Sequence, residues 1–188
     1  MTTYATLAAD VQSWSARTDI ADKIPTMCAL FEARVNRSMR VRQMETAFTG
    51  SIVGSVIALP AGWLQFKRLW IDGYEERTLQ PTTVERIRFN DEGIPKNYAI
   101  DGTNVRFDGA GDVSGVYYKS IPSLYADGYN WLSVAAYDAY LFGVLAEVYE
   151  WLKDDAGFQK NFARSTAVLD SLAGSDKRLS GPLVARAA

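Results

Sequence analysis

Catalysis needs side chains that can move protons, attack or hold an ion, and this chain carries few of them. It has no histidine. Ser-His-Asp and Cys-His nucleophile systems, an imidazole base and any His-containing metal site are therefore excluded. Its single cysteine, Cys28, excludes an intramolecular disulfide or a cysteine-based zinc site within one chain. Cys28 falls on an apolar helical stripe, where it reads as a buried small hydrophobe. Acids come in adjacent pairs at Glu75-Glu76, Asp91-Glu92 and Asp154-Asp155. Each pair sits beside turn residues, where carboxylates stay solvated, whereas a general acid needs burial to raise its pKa. Gly50, Gly54 and Gly62 lead into neither Lys-Ser/Thr nor a helix cap, so they form no phosphate loop. The run Asp108-Gly109-Ala110-Gly111-Asp112 supplies too few oxygen ligands for calcium and lacks the closing Glu. These residue types predict no enzyme, no cofactor and no metal. A hydrolase built on carboxylates alone is the one catalytic design they leave open.

Binding chemistry is better supplied. Arg34, Arg37, Arg40 and Arg42 crowd the C-terminal half of a predicted helix, where cations also suit the helix dipole. A solvated face is the simplest reading. The alternatives are an acidic protein neighbour or a DNA backbone, because guanidinium forks onto carboxylate and phosphate. A net charge of −2 and a pI near 5.2 give no general electrostatic reason to bind nucleic acid. A protein neighbour is thus favoured, with a nucleic-acid-binding module using the basic helix as the alternative. The chain also holds five Trp, ten Tyr and eight Phe. A core takes many of these rings, but aromatics together with Arg are enriched where protein surfaces meet. Trp70, in a hairpin that looks exposed, is hard to place in a core.

The elements that position these groups follow from periodicity. Leu7, Val11 and Trp14 recur at helical spacing, which predicts a helix over about 4–17. Asp22 then caps a second helix to about Met44, with Pro25 in its first turn and a stripe of Ile24, Met27, Cys28, Phe31, Val35 and Met39. From Thr46 to Lys119 the chain turns to β chemistry, with strands expected at 46–49, 53–58, 64–71, 77–80, 97–100, 104–107 and 115–119. Asp72-Gly73 and Asp101-Gly102 mark hairpins. Thr82-Thr83-Val84-Glu85 resembles a capping box opening a short helix. Asn130 to Leu152 reads as one long helix, apolar on a wide stripe and ringed by Tyr137, Tyr140, Phe142, Tyr149 and Trp151. A last helix spans about 157–172, and the tail after Gly174 is expected to be extended or disordered.

The expected fold class is α+β. N-terminal helices (1–44) and C-terminal helices (125–173) close one antiparallel bundle across an inserted β-rich region (45–124), followed by an extended C-terminal arm (174–188). The N-terminus has neither a basic start nor a continuous apolar core, so no signal peptide is expected. No apolar run approaches the ~20 residues of a membrane span. A reducing, cytosol-like compartment is the expected place of synthesis.

The order of motifs carries a resemblance. FEARVNRSMRVRQMET (31–46) is followed by ALPAGWL (58–64) and a strand of the form FKRLWID. GIPKNYAIDGTNVRF (93–107), VYYKSIPSL (116–124) and NWL (130–132) then precede a Tyr/Ala-rich helix. In this order the chain resembles the head–tail adaptor (connector, or head-completion) proteins of tailed bacteriophages, of the short-tailed type. The resemblance implies a virion structural protein at the head–tail interface, made in the bacterial host cytoplasm. It implies a ring, expected to be dodecameric, that binds beneath the portal protein and offers a platform to a tail or nozzle protein. Viral DNA would pass through its channel without sequence-specific binding. On this basis Arg34, Arg37, Arg40, Arg42, Tyr140 and Tyr149 are candidates for a subunit seam or channel, and Leu179, Leu183 and Val184 for docking onto the portal.

Overall fold

The computed structural model describes residues 3–90 and 93–180. It is mixed α+β, and the chain divides into two units, residues 1–43 with 121–188 and residues 44–120.

The first unit is helical. Helix α1 (Tyr4–Ser15) starts where the Thr3 hydroxyl accepts from the Thr6 amide at 3.3 Å, and it buries Leu7 and Val11. It closes at Ala16 in the left-handed region, φ 51°. Helix α2 (Ile24–Ser38) carries Pro25 in its first turn, where a missing amide costs no helical bond. Lys23, not Asp22, occupies the cap position, and Asp22 instead pairs with the Lys23 ammonium at 2.8 Å. The helix ends six residues before the expected Met44. Met39 is extended and only a single 3₁₀ turn, Arg42–Met44, follows.

The region expected to be one long helix is two. A five-residue helix, α4 (Trp131–Ala135), opens on a capping box between Asn130 and Ser133, after a single turn α3 (Leu124–Asp127). Ala136 then leaves helical geometry at φ −149°, ψ 67°, and α5 (Tyr137–Trp151) begins. No Gly or Pro marks the break, and apolar residues continue through it, so periodicity alone reads straight across. The freed groups are retaken locally. The Ala136 amide donates to the Leu132 carbonyl at 2.8 Å, and the Ala139 amide to the Asp138 carboxylate at 3.0 Å.

Helix α6 (Asp155–Ser180) continues well past Leu172. The extended arm expected from residue 174 is therefore helix over 174–180, while 181–188 lie outside the described residues. Asp176 explains part of the extension, since its carboxylate accepts from Arg42 Nε at 2.7 Å and so ties the last turns of α6 to the chain after α2. Helix α5 packs against α1, α2 and α6. Gly143 permits the closest approach, because a Cβ there would stand 2.2 Å from the Phe31 ring.

The second unit holds two sheets. In one, β7 (Asp112–Lys119) lies between β1 (Glu45–Ser51) and β3 (Trp63–Ile71), all antiparallel. In the other, β6 (Asn104–Phe107) pairs with β2 (Val56–Ala58) and β5 (Asn97–Asp101), and β5 pairs in parallel with the two-residue β4 (Gln80–Pro81). Their core gathers Phe48, Phe66, Leu69, Ile71, Val105, Phe107, Val113 and Tyr117. A register shift between Phe66 and Arg68 resolves the imperfect alternation of β3. Such a bulge resets the pleat by one residue, so Phe66 and then Leu69 and Ile71 all turn inward. Asp101 and Asn104 are the last pair of the β5–β6 hairpin, which places its two loop residues at Gly102 and Thr103. Val84–Arg86 is one 3₁₀ turn, and the Thr83 hydroxyl bonds the Glu85 carboxylate in place of a reciprocal capping box.

Candidate interaction surfaces

The acids are placed first, because only they could serve a hydrolase. Glu75 accepts from the Gly73 amide at 3.1 Å and so closes the turn after β3, and Asp154 accepts from the Gly157 amide at 3.0 Å at the start of α6. Asp91 and Glu92 lie outside the described residues. A cavity of about 690 Å³ beside Ile71, Tyr74, Leu79 and Pro95 is lined, among the described residues, by one carboxylate, Asp108. Burial pushes that carboxyl up, but bonds from the Asn97 amide and side chain and the Lys96 amide outweigh it, and its pKa falls below the usual range. An acid held ionised in this way anchors a loop and cannot donate a proton near neutral pH. Among the described residues no group of three or more Cys, Asp and Glu could hold a metal ion.

Among the described residues two carboxyls are shifted upward, and both are buried in the helical unit. Burial raises Glu32 most; bonds from the Leu124 amide at 2.8 Å and the Tyr140 hydroxyl at 3.1 Å lower it, while the Asp127 charge raises it. Glu32 thus fastens the α3 turn onto α2. Burial likewise raises Glu147; Arg34 opposes the shift, Glu150 adds to it and Arg37 opposes it. Neither acid lines the cavity beside Ala135 and Val168 or the one beside Trp14 and Tyr149. Both are structural. Cys28 is buried too, its thiol pushed up to about 12 by desolvation and then by the Glu32 charge.

The arginine row does not present four guanidinium groups to a neighbour. Arg34 forms an ion pair with buried Glu147 and lies 5.0 Å from the centre of the Phe162 ring. Arg40 Nη1 donates to the Asn36 carbonyl at 2.8 Å, and Arg42 bonds Asp176. Arg37 is the exposed member of α2. Tyr140 is fully buried, with its ring 4.9 Å from Phe31 and its hydroxyl accepting from Asn130 Nδ2 at 2.6 Å. It is a core residue and offers no surface to another subunit, which corrects the expectation for it. Tyr149 is half-buried against Gly157. The side chain of Leu179, and all of Leu183 and Val184, lie outside the described residues.

The aromatics left outward are others. Trp14 is 55% exposed, Tyr125 58% and Trp151 50%, joined by Tyr129, Leu30 and Val134 in the same unit. Trp14 edges onto Phe142 at 5.8 Å, and Arg164 covers the other ring contact at 5.2 Å from the Phe142 centre. Trp70 is half-buried with Arg68 5.2 Å from its ring centre. The helical unit thus leaves several apolar rings in water and puts its shifted acids to structural use, and exposed rings of this kind are enriched where protein surfaces meet. Comparison with known families decides which kind. A family model for SU10 adaptor protein matches residues 2–186.

The chain belongs to the SU10 adaptor protein family. No curated protein matches it. Membership agrees with the resemblance to phage head–tail adaptors carried by the order of motifs, and it gives the adaptor a structural, non-enzymatic role in association with other virion proteins. No helix among the described residues is long and apolar enough to cross a membrane.

Proposed function

We propose that this adaptor closes into a ring beneath the portal of a short-tailed phage, extends the DNA channel and carries the tail or nozzle protein. The family match over residues 2–186 is the observation that carries this reading. A ring of identical subunits joins two different faces of each subunit, and rotation closes it, with twelve copies if it follows a twelve-fold portal. Exposed Trp14, Tyr125 and Trp151 are suited to such a seam, since rings desolvated between subunits contribute most to association. Arg37 and half-buried Tyr149 remain seam or channel candidates. Arg34, Arg40 and Arg42 would act there through the helices they already brace.

The C-terminal arm is proposed to dock onto the portal, with Leu183 and Val184 as apolar anchors and Leu179 at its root. Removing residues after Ser180 tests this without cutting α6 or its Arg42–Asp176 tie. Portal binding, followed by co-sedimentation with purified portal, should be lost while the thermal transition is unchanged. Undiminished binding would refute a docking role for the arm.

A further inference from the structure

The long strand β1 is an open edge. Among the described residues its ladder partner is β7 alone. The Ile52 amide donates to the Gly111 carbonyl at 3.0 Å, one step beyond the Ser51–Asp112 pair. Since backbone direction alternates along a strand, that bond sets the phase of the whole ladder. Even-numbered residues turn their amides and carbonyls to β7, and Glu45, Ala47, Thr49 and Ser51 turn theirs outward. Among the described residues no group bonds these outward atoms. The side chains of Ala47, Thr49 and Ser51 are exposed, and Glu45 is held by Lys67 at 2.6 Å. The strand has no proline, no lysine, no bulge and no inward charge, the devices that ordinarily block edge pairing.

The other edges differ. Thr78 and Leu79 lie over the end of β3, which also carries bulges, while β2 and β4 are three and two residues long. A second copy therefore brings one long open edge, β1 itself. We propose that β1 pairs antiparallel with β1 of a second copy across a two-fold axis, joining their three-stranded sheets into one. A two-fold contact uses the same patch on both partners and needs no second open edge. In the centred register Ala47 faces the partner's Thr49 and Glu45 faces the partner's Ser51. Every outward backbone group is then bonded, small side chains meet on the exposed face while Phe48 stands opposite its counterpart on the core side, and no like charges stand directly opposite. The Lys67 ammonium beside Glu45 offsets the approach of Asp112, which is bonded to Ser51.

The inference concerns the free chain and does not rest on the adaptor reading. Sedimentation equilibrium of the full chain, without portal, should show a monomer–dimer equilibrium with a Kd below about 100 µM. Ala47→Pro removes an outward amide without touching the β7 ladder, and Thr49→Lys puts a cation on the seam. Each should weaken dimerisation at least about tenfold. A spin label on Thr49→Cys should report a partner label within about 20 Å, given ~5 Å between paired strands. Buried Cys28 stays unlabelled. A monomeric wild-type chain at that concentration would overturn the proposal. So would a dimer that resists Thr49→Lys or shows no short label distance.

Discussion

Glu32 shows what a single residue does here and why its charge has a cost. Its carboxylate takes the Leu124 amide and the Tyr140 hydroxyl inside the helical unit, and burial raises its pKa above the ordinary carboxylate value. A carboxyl whose folded-state pKa is raised binds its proton more tightly in the folded state. Its stabilising effect is complete below the ordinary value and is lost as pH rises through the folded value. Glu147 shifts the same way, so the two together lower stability as pH rises across that window. Glu32→Gln keeps an acceptor oxygen but cannot ionise. Its melting temperature should fall less than the wild type's between about pH 4.5 and pH 7. Equal slopes would show that Glu32 does not titrate in that window. Gly143 acts through shape instead. Gly143→Ala sets a methyl against the Phe31 ring and should cost about 1–3 kcal/mol in urea unfolding with an unchanged m-value. A neutral substitution would mean that α2 and α5 can move apart freely.

At the scale of elements, what sequence carries is periodic and what it hides is exceptional. The stripe Ile24, Met27, Cys28, Phe31, Val35 is apolar at helical spacing, and α2 buries it. Glu32 lies on that same face, and only Tyr140 and the Leu124 amide, 108 and 92 residues away, explain it. Long-range satisfaction of this kind leaves no local mark. The break at Ala136 is equally silent, since alanine suits both halves. The bulge in β3 left a trace as the misplaced Lys67-Arg68 pair, which strict alternation could not absorb. Helix α6 outran its apolar period because a salt bridge, Arg42–Asp176, replaces packing near its end. Of the candidate surface, the arginines were legible as a row but not as already committed. Arg34, Arg40 and Arg42 have partners supplied from within their own unit. Tyr140 lies in the core, and a ring on a richly aromatic helix gives no sign of which side faces in. Trp14, Tyr125 and Trp151 carried the outward area instead.

For the whole molecule, charge and composition excluded most catalysis before any fold was known. The chain has no histidine, its one thiol is buried, and the carboxylate that lines the cavity beside Ile71, Asp108, is held ionised by its hydrogen bonds. What remains is a chain with apolar rings in water and a family of adaptors around it. The proposed function stands on closure of the subunits into a ring on the portal. Electron microscopy of the purified chain with and without portal tests it most directly. Ring closure predicts one closed ring of adaptor density beneath each portal, with a copy number matching the portal's symmetry. Portal particles that remain bare at saturating adaptor, or that carry isolated subunits without closure, would contradict it.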